Sequence, residues 1–245
     1  MKKTGRLLLI AAIILVSGAI VVTSCKKDMA ADMATGLVNP ENLSVKNDTL
    51  NCGCVINPSD TITQAEIDML LYMREEEKLA RDVYLAMAEI YSVPVFRNIA
   101  KSEQHHMNQV LCLLQHYQIP DPASPDTGVF NNTELQALYN SFVAQGADSL
   151  VGALTAGATI EDKDIYDLEA DMQLTENPAI VTIFSKLSCA SGNHIRSFSA
   201  HLEFHGTTYV PQFISQEEYD GIIALPHQFC GAAGIGQTSG SPSVQ

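Results

Sequence analysis

The chain has 245 residues, with 14 Lys+Arg against 28 Asp+Glu, a formal net charge of −14 and 46% hydrophobic residues. That length and apolar content provide for one or two domains and exclude a disordered chain or a mini-protein that depends on cross-links. The acidic excess, with no basic stripe, excludes nucleic acid as a partner, because phosphate binding needs a cationic face, and the lack of Trp with only 7% aromatics argues against base-stacking platforms.

Lys2, Lys3 and Arg6 precede an apolar run from Leu7 to Val22 broken only by Ser17 and Gly18, the layout of a secretory signal. It ends in Val22-Thr23-Ser24-Cys25, which is similar to the bacterial lipobox. Residues 1–24 are therefore expected to be a lipoprotein signal peptide. Cys25 is expected to carry the lipid that holds the protein on a bacterial cell-envelope membrane. The alternative is an uncleaved anchor, since about 17 apolar residues reach the edge of spanning length. Residues 25–60 are rich in Asn, Asp, Ser and Lys without helical period and read as a flexible tether.

Helices are expected from there on. Thr63 and Glu66 form a capping box, with Ile62 and Ile67 as the hydrophobic staple, and the first helix runs to about Tyr91. The second starts at Pro94, which suits a first turn, and ends before Pro120. A long link follows, containing a short amphipathic helix (Leu135, Leu138, Tyr139, Phe142) closed by Gly146. The third long helix begins after Asp148 and ends near Thr175; the fourth has Asn177 as its cap and reaches about Gly206. The main domain is expected over 61–220, with its last residues as a C-terminal wrap. Residues 221–245 are expected to be a mostly disordered tail, whose glycines lack the strand–helix context of a phosphate loop.

Each long helix has an apolar stripe in three- and four-residue steps, the spacing of a core-facing seam. The stripes are interrupted by Glu77 on the first helix, Glu103 and His106 on the second, Glu161 on the third, and Ser191 and His194 on the fourth. Buried carboxylates are costly unless compensated. At 1.5 Å per residue, Glu77 lies about 21 Å before the first hairpin turn and Glu103/His106 about 14–18 Å after it. Glu161 and Ser191/His194 are placed about 20–26 Å either side of the second turn. The interruptions meet at one level within each hairpin, which is the geometry of a metal site inside a bundle. The neighbouring Glu75 and Glu76 read as a solvated face, and Tyr84 as core packing or a residue backing the site.

Glu on one helix and Glu-x-x-His on the next, then repeated, resembles the di-iron or di-manganese signature of ferritin-like bundles. More closely, Arg74-Glu-Glu-Glu-Lys-Leu-Ala-Arg-Asp-Val-Tyr84, Ser102-Glu-Gln-His-His-Met107, Gly157-Ala-Thr-Ile-Glu-Asp-Lys-Asp-Ile165 and Gly192-Asn-His-Ile-Arg-Ser-Phe198 are similar to a prokaryotic domain-of-unknown-function family, number 2202. The resemblance covers about 64–220, including Tyr209-Val-Pro-Gln-Phe213. It implies an all-α fold, a ferritin-like four-helix bundle with a long crossover between helices 2 and 3. The expected metal ligands are Glu77, Glu103, His106, Glu161 and His194, for one or two ions. Iron suits them, with manganese or zinc as alternatives. Where a second Glu-x-x-His would begin, this chain has Ser191, a poor ligand; Asp164, one turn after Glu161, is the candidate to compensate.

If helices two and four are antiparallel neighbours, as in ferritin-like bundles, Cys112 and Cys189 fall at one level and a disulfide between them is expected. Cys52-Gly53-Cys54 is left with a metal or redox role, or a pairing with Cys230. His201 and His205 share a helical face near the bundle end, as a structural pair or a second ion site. Two functional readings follow: an oxidoreductase with ferroxidase or peroxide-related chemistry on O₂ or peroxide, or a non-catalytic envelope metal-binding or interaction module.

Overall fold

A computed structural model describes residues 49–50, 54–55 and 61–231. The expected signal segment, Cys25 and its lipid, and the far C-terminal tail lie outside the described residues, as does all of the tether except β1 (Thr49–Leu50) and β2 (Cys54–Val55). These two strands pair antiparallel, Thr49 opposite Val55. The rest is helical: α1 (Gln64–Ile90), α2 (Pro94–His116), α3 (Thr133–Asp148), α4 (Leu150–Met172), α5 (Pro178–Phe204) and α6 (Gln216–Ala224). No helix among the described residues is long and apolar enough to cross a membrane.

The helix starts follow the local chemistry read from the sequence. Thr63 and Glu66 close a reciprocal capping box on α1, Pro94 occupies the first turn of α2, and the Asn177 side chain accepts from Ala179 and Ile180 at the start of α5. One stop differs. Gly146 does not close α3, which continues to Asp148; the glycine serves packing, because the Met87 side chain fills the space a Cβ would take.

Cross-helix contacts establish the pairing. Glu77 meets His106 while Arg97 reaches back to Glu89, so α1 and α2 are antiparallel. Glu161 meets His194 and Met172 meets Ser185, so α4 and α5 are too. Tyr84 with Glu161 and Glu66 with Thr175 set α1 antiparallel to α4. Glu103 with His194 and Tyr117 with Asn177 do the same for α2 and α5. The apolar core is split in two. One cluster gathers Tyr84, Phe96, Leu154 and Phe198; the other gathers Leu70, Met73, Leu113, Phe184 and Leu187. The polar seam residues lie between them.

The link after α2 is tied to the outer side of α1. Arg74 binds the Asp121 carboxylate at 3.0 and 2.8 Å, and Glu75 accepts from the amides of Asn131 and Asn132 at 2.7 and 2.9 Å. Lys78 donates to Asp82 and to the carbonyls of Asp126 and Val129, while Asp82 accepts from Gly128 N. This overturns the expectation of a solvated face: Glu75 and Glu76 are both buried. Consecutive carboxylates on a helix point in different directions, and here a neighbouring element covers each of them.

The C-terminal wrap is held by Asp162. Its carboxylate accepts from Tyr209 OH and from the amides of Gln212, Phe213 and Ile214. Residue 220, the expected domain end, falls inside α6, and Cys230 beyond that helix is disulfide-bonded to Cys189. The expected Cys112–Cys189 bridge is therefore wrong, although Cys112 is itself disulfide-bonded. The physical reason is azimuth. Cys189 is five residues before His194, about 140° around the helix, and turns from the core toward the C-terminal segment.

Candidate metal centre

Glu77 from α1, Glu103 and His106 from α2, Glu161 from α4 and His194 from α5 are all buried and converge. A three-residue step puts Glu103 and His106 on one helix face. His106 Nδ1 lies 3.2 Å from Glu77 Oε2 and 2.7 Å from Glu103 Oε2. His194 Nδ1 lies 2.8 Å from Glu103 Oε1 and 3.2 Å from Glu161 Oε2. The imidazoles stack with centroids 5.6 Å apart. Glu103 thus stands between two trios, Glu77/Glu103/His106 and Glu103/Glu161/His194, and within each trio the ligand atoms lie within 4.8 Å of one another.

Protein partners leave this layer partly unsatisfied. Glu77 Oε1, Glu103 Oε1 and Asp164 Oδ1 are buried with no hydrogen-bond partner. The 2.8 Å approach of His194 Nδ1 to Glu103 Oε1 is a close electrostatic contact outside hydrogen-bond geometry. Burial, offset by His106 and reinforced by Glu103, pushes the Glu77 carboxyl up to about 8. Burial also acts on Glu103, but the two flanking imidazoles outweigh it and hold that carboxyl well below the usual range. Burial raises Glu161 against the pull of His194. For the histidines burial works downward and loses. Glu103 and Glu77 lift His106 well above its ordinary value, and Glu103 and Glu161 lift His194 to about 10.

In the metal-free protein the proton held by Glu77 brings the layer close to charge balance, two carboxylates against two imidazolium ions. A cation bound there would displace the protons of Glu77 and the histidines and take the imidazoles as neutral ligands. Three carboxylates and two imidazoles suit iron, manganese or zinc. The unpartnered oxygens and the donor set together fit a bound metal.

The surrounding residues fall into place differently. Tyr84 is fully buried and donates to Glu161 Oε1 at 2.5 Å, so it orients a candidate ligand as well as packing against Phe198. Gly157 makes room for that ring, which a Cβ would strike. Ser191 donates to Asp164 Oδ2 at 2.5 Å. Burial, then the charges of Glu77 and Glu161, raise the Asp164 carboxyl well above its ordinary value, although Asp164 belongs to neither trio. His201 and His205 lie beside a groove with Val93, Leu150 and Phe204, outside both trios. Ser102, missed in the sequence, lies 3.0 Å from His194 Nε2 and 3.5 Å from His106 Nε2. Its spacing of one turn before His106 was the available signal.

These features define a helical protein with two overlapping Glu/His clusters, each able to hold a metal ion, at the middle of its core. The chain belongs to the family described as uncharacterized protein domain DUF2202, which matches residues 66–226 and so includes all five candidate ligands. It is 47% identical over 168 residues to uncharacterized protein MJ0754 of Methanocaldococcus jannaschii, covering 68% of this chain and 91% of that protein. The crystal structure of hypothetical protein MJ0754 from Methanococcus jannaschii is similar in fold, with a TM-score of 0.69 at 45% identity over 71% of this chain and 99% of that one.

Proposed function

We propose that this protein is a ferritin-like metal protein whose centre holds two ions that share Glu103. The arrangement of α1, α2, α4 and α5 supports the ferritin-like part. Two antiparallel hairpins are joined by the long link that carries α3, with α1 beside α4 and α2 beside α5. The observation that carries the metal part is the position of Glu103, with one carboxylate oxygen toward each histidine. Glu77 and His106 complete one position, Glu161 and His194 the other. Iron is the first choice, manganese or zinc the alternatives. The chemistry that iron supplies there is electron exchange with O₂ or peroxide, of the ferroxidase or peroxide-removing kind. The protein orients Glu161 through Tyr84 and excludes larger reactants by burying every ligand. A second reading, a redox-silent metal binder or interaction module, is favoured by Ser191, which spends its hydroxyl on Asp164 and adds no carboxylate from α5.

Lipid attachment at Cys25 and a place on the bacterial cell envelope belong to the same proposal. They rest on the signal and lipobox-like residues, and the Cys189–Cys230 disulfide suits an oxidising compartment. Anaerobic titration of the metal-free full chain with Fe(II) tests the metal reading. Two ions are expected per chain, one in Glu77→Ala and none in Glu103→Ala. Consumption of O₂ by the loaded protein separates enzyme from binder, and failure to take up Fe(II), Mn(II) and Zn(II) alike sinks both metal readings.

A further inference from the structure

We infer that Ser102 is a shared positioning residue for the two ligand histidines, a single neutral hydroxyl that receives the outer N–H of both. The inference rests on the two-ion reading above and concerns what that reading leaves unexplained. Both imidazoles turn Nδ1 toward carboxylates, His106 between Glu77 and Glu103, His194 between Glu103 and Glu161. A histidine that ligates through Nδ1 carries its proton on Nε2 and needs an acceptor there to fix its orientation. Here the two Nε2 atoms converge on one oxygen, Ser102 Oγ, at 3.0 Å from His194 and 3.5 Å from His106. A hydroxyl oxygen has two lone pairs, so it accepts from both rings at once. The near-parallel stacking of the rings, 22° between planes, is the arrangement that lets both reach the same atom.

The chemistry of the acceptor also matters. Ligand histidines commonly donate to a carboxylate, which makes the imidazole more electron-rich. The layer already holds Glu77, Glu103 and Glu161, with Asp164 alongside, so carboxylate charge for the ions is present without a further acid behind the histidines. Ser102 orients the rings without adding charge, and its neutral acceptor keeps both imidazoles weaker donors, which favours the lower oxidation state of a bound ion. It also couples the two positions, since one side chain sets the orientation of a ligand in each. Ser102 is half-buried on α2 and lies one turn before His106.

The test uses the full chain loaded with Co(II), whose paramagnetism moves the N–H protons of ligating imidazoles out of the crowded proton spectrum. The unmodified protein is expected to bind two Co(II) and to show two such protons in slow exchange with water. Ser102→Ala should bind Co(II) about 10–100-fold more weakly and lose both signals to fast exchange, with unchanged helical circular dichroism. Ser102→Thr, which keeps the hydroxyl, should restore both properties. If Ser102→Ala retains its affinity and both slow protons, the positioning role is wrong while the two-ion centre stands. If the unmodified chain binds no Co(II), the centre itself is wrong and Ser102 falls with it.

Discussion

The stretch Arg74–Asp82 of α1 carries buried charges that face three neighbours: Glu76 meets Lys163 of α4, and the other two sets differ instructively. The outer set, Arg74, Glu75, Lys78 and Asp82, lies against the link to α3, and its charges are matched by carboxylates, amides and carbonyls. Lys78 alone has Asp82 at 2.6 Å, the carbonyls of Asp126 and Val129, and the Phe130 ring 4.3 Å from its nitrogen. The inner set is Glu77 with Glu103, His106 and Glu161, and there carboxylate oxygens remain without partners. Burial is equal in the two sets. Glu76 pairs one oxygen with Lys163 and leaves the other without a partner, so what marks the candidate site is that unpartnered oxygens from several helices converge with two imidazoles.

That contrast can be broken experimentally. Replacing Lys78 by Met removes a partner from a completed network and strands Asp82. A loss of about 3–5 kcal/mol is expected, toward the lower end because Arg81 also binds Asp82, read as a shift in the urea midpoint. The inner set should respond instead to metal. Saturation at 100-fold above Kd should raise stability by about 2.7 kcal/mol for each bound ion, and Glu103→Gln should abolish that gain. Absence of a metal-dependent rise in Tm would mean that the two sets do not differ as argued. Tyr84→Phe removes the donor to Glu161 and should cost about 1–2 kcal/mol in thermal unfolding, with weaker metal uptake.

The inner set also governs the pH dependence. Glu77 titrates near 8 in the folded metal-free protein against an ordinary value near 4.5, so the folded state holds a proton that the unfolded state has released. Metal-free stability should therefore fall as pH rises from 4.5 to 8 on account of this group, and Glu77→Gln should flatten the slope. His194, raised to about 10, has the same sign from its ordinary 6.5 upward. Glu103, held low, has the opposite sign, in a window below 4.5. Metal requires deprotonated ligands, so in the loaded protein the fall between 4.5 and 8 should disappear, with a rise up to about pH 6.5 while the histidines of the unfolded chain are still protonated.

Glu77, Glu103, His106, Glu161 and His194 were legible because helical period places a residue on a face and rise places it at a height, and both can be counted along the chain. The same counting misplaced Glu75 and Glu76. It treated the side of α1 away from the seam as open to water, whereas residues 118–132 cover Glu75 and α4 supplies Lys163 to Glu76. It also paired Cys112 with Cys189 by height alone, when Cys189 faces Cys230 on an irregular segment with no period to count.

The sequence by itself thus determined the starts of the four long helices, the core-facing stripes and the five residues that interrupt them, because capping, period and rise are local properties of one helix; α6 it did not show. Only the tertiary structure decided which charges find partners, which cysteines meet, that Asp164 is held by Ser191, and that both imidazoles share Ser102. Those outcomes depend on how one helix is rotated against another and on where loops return. No single segment encodes either.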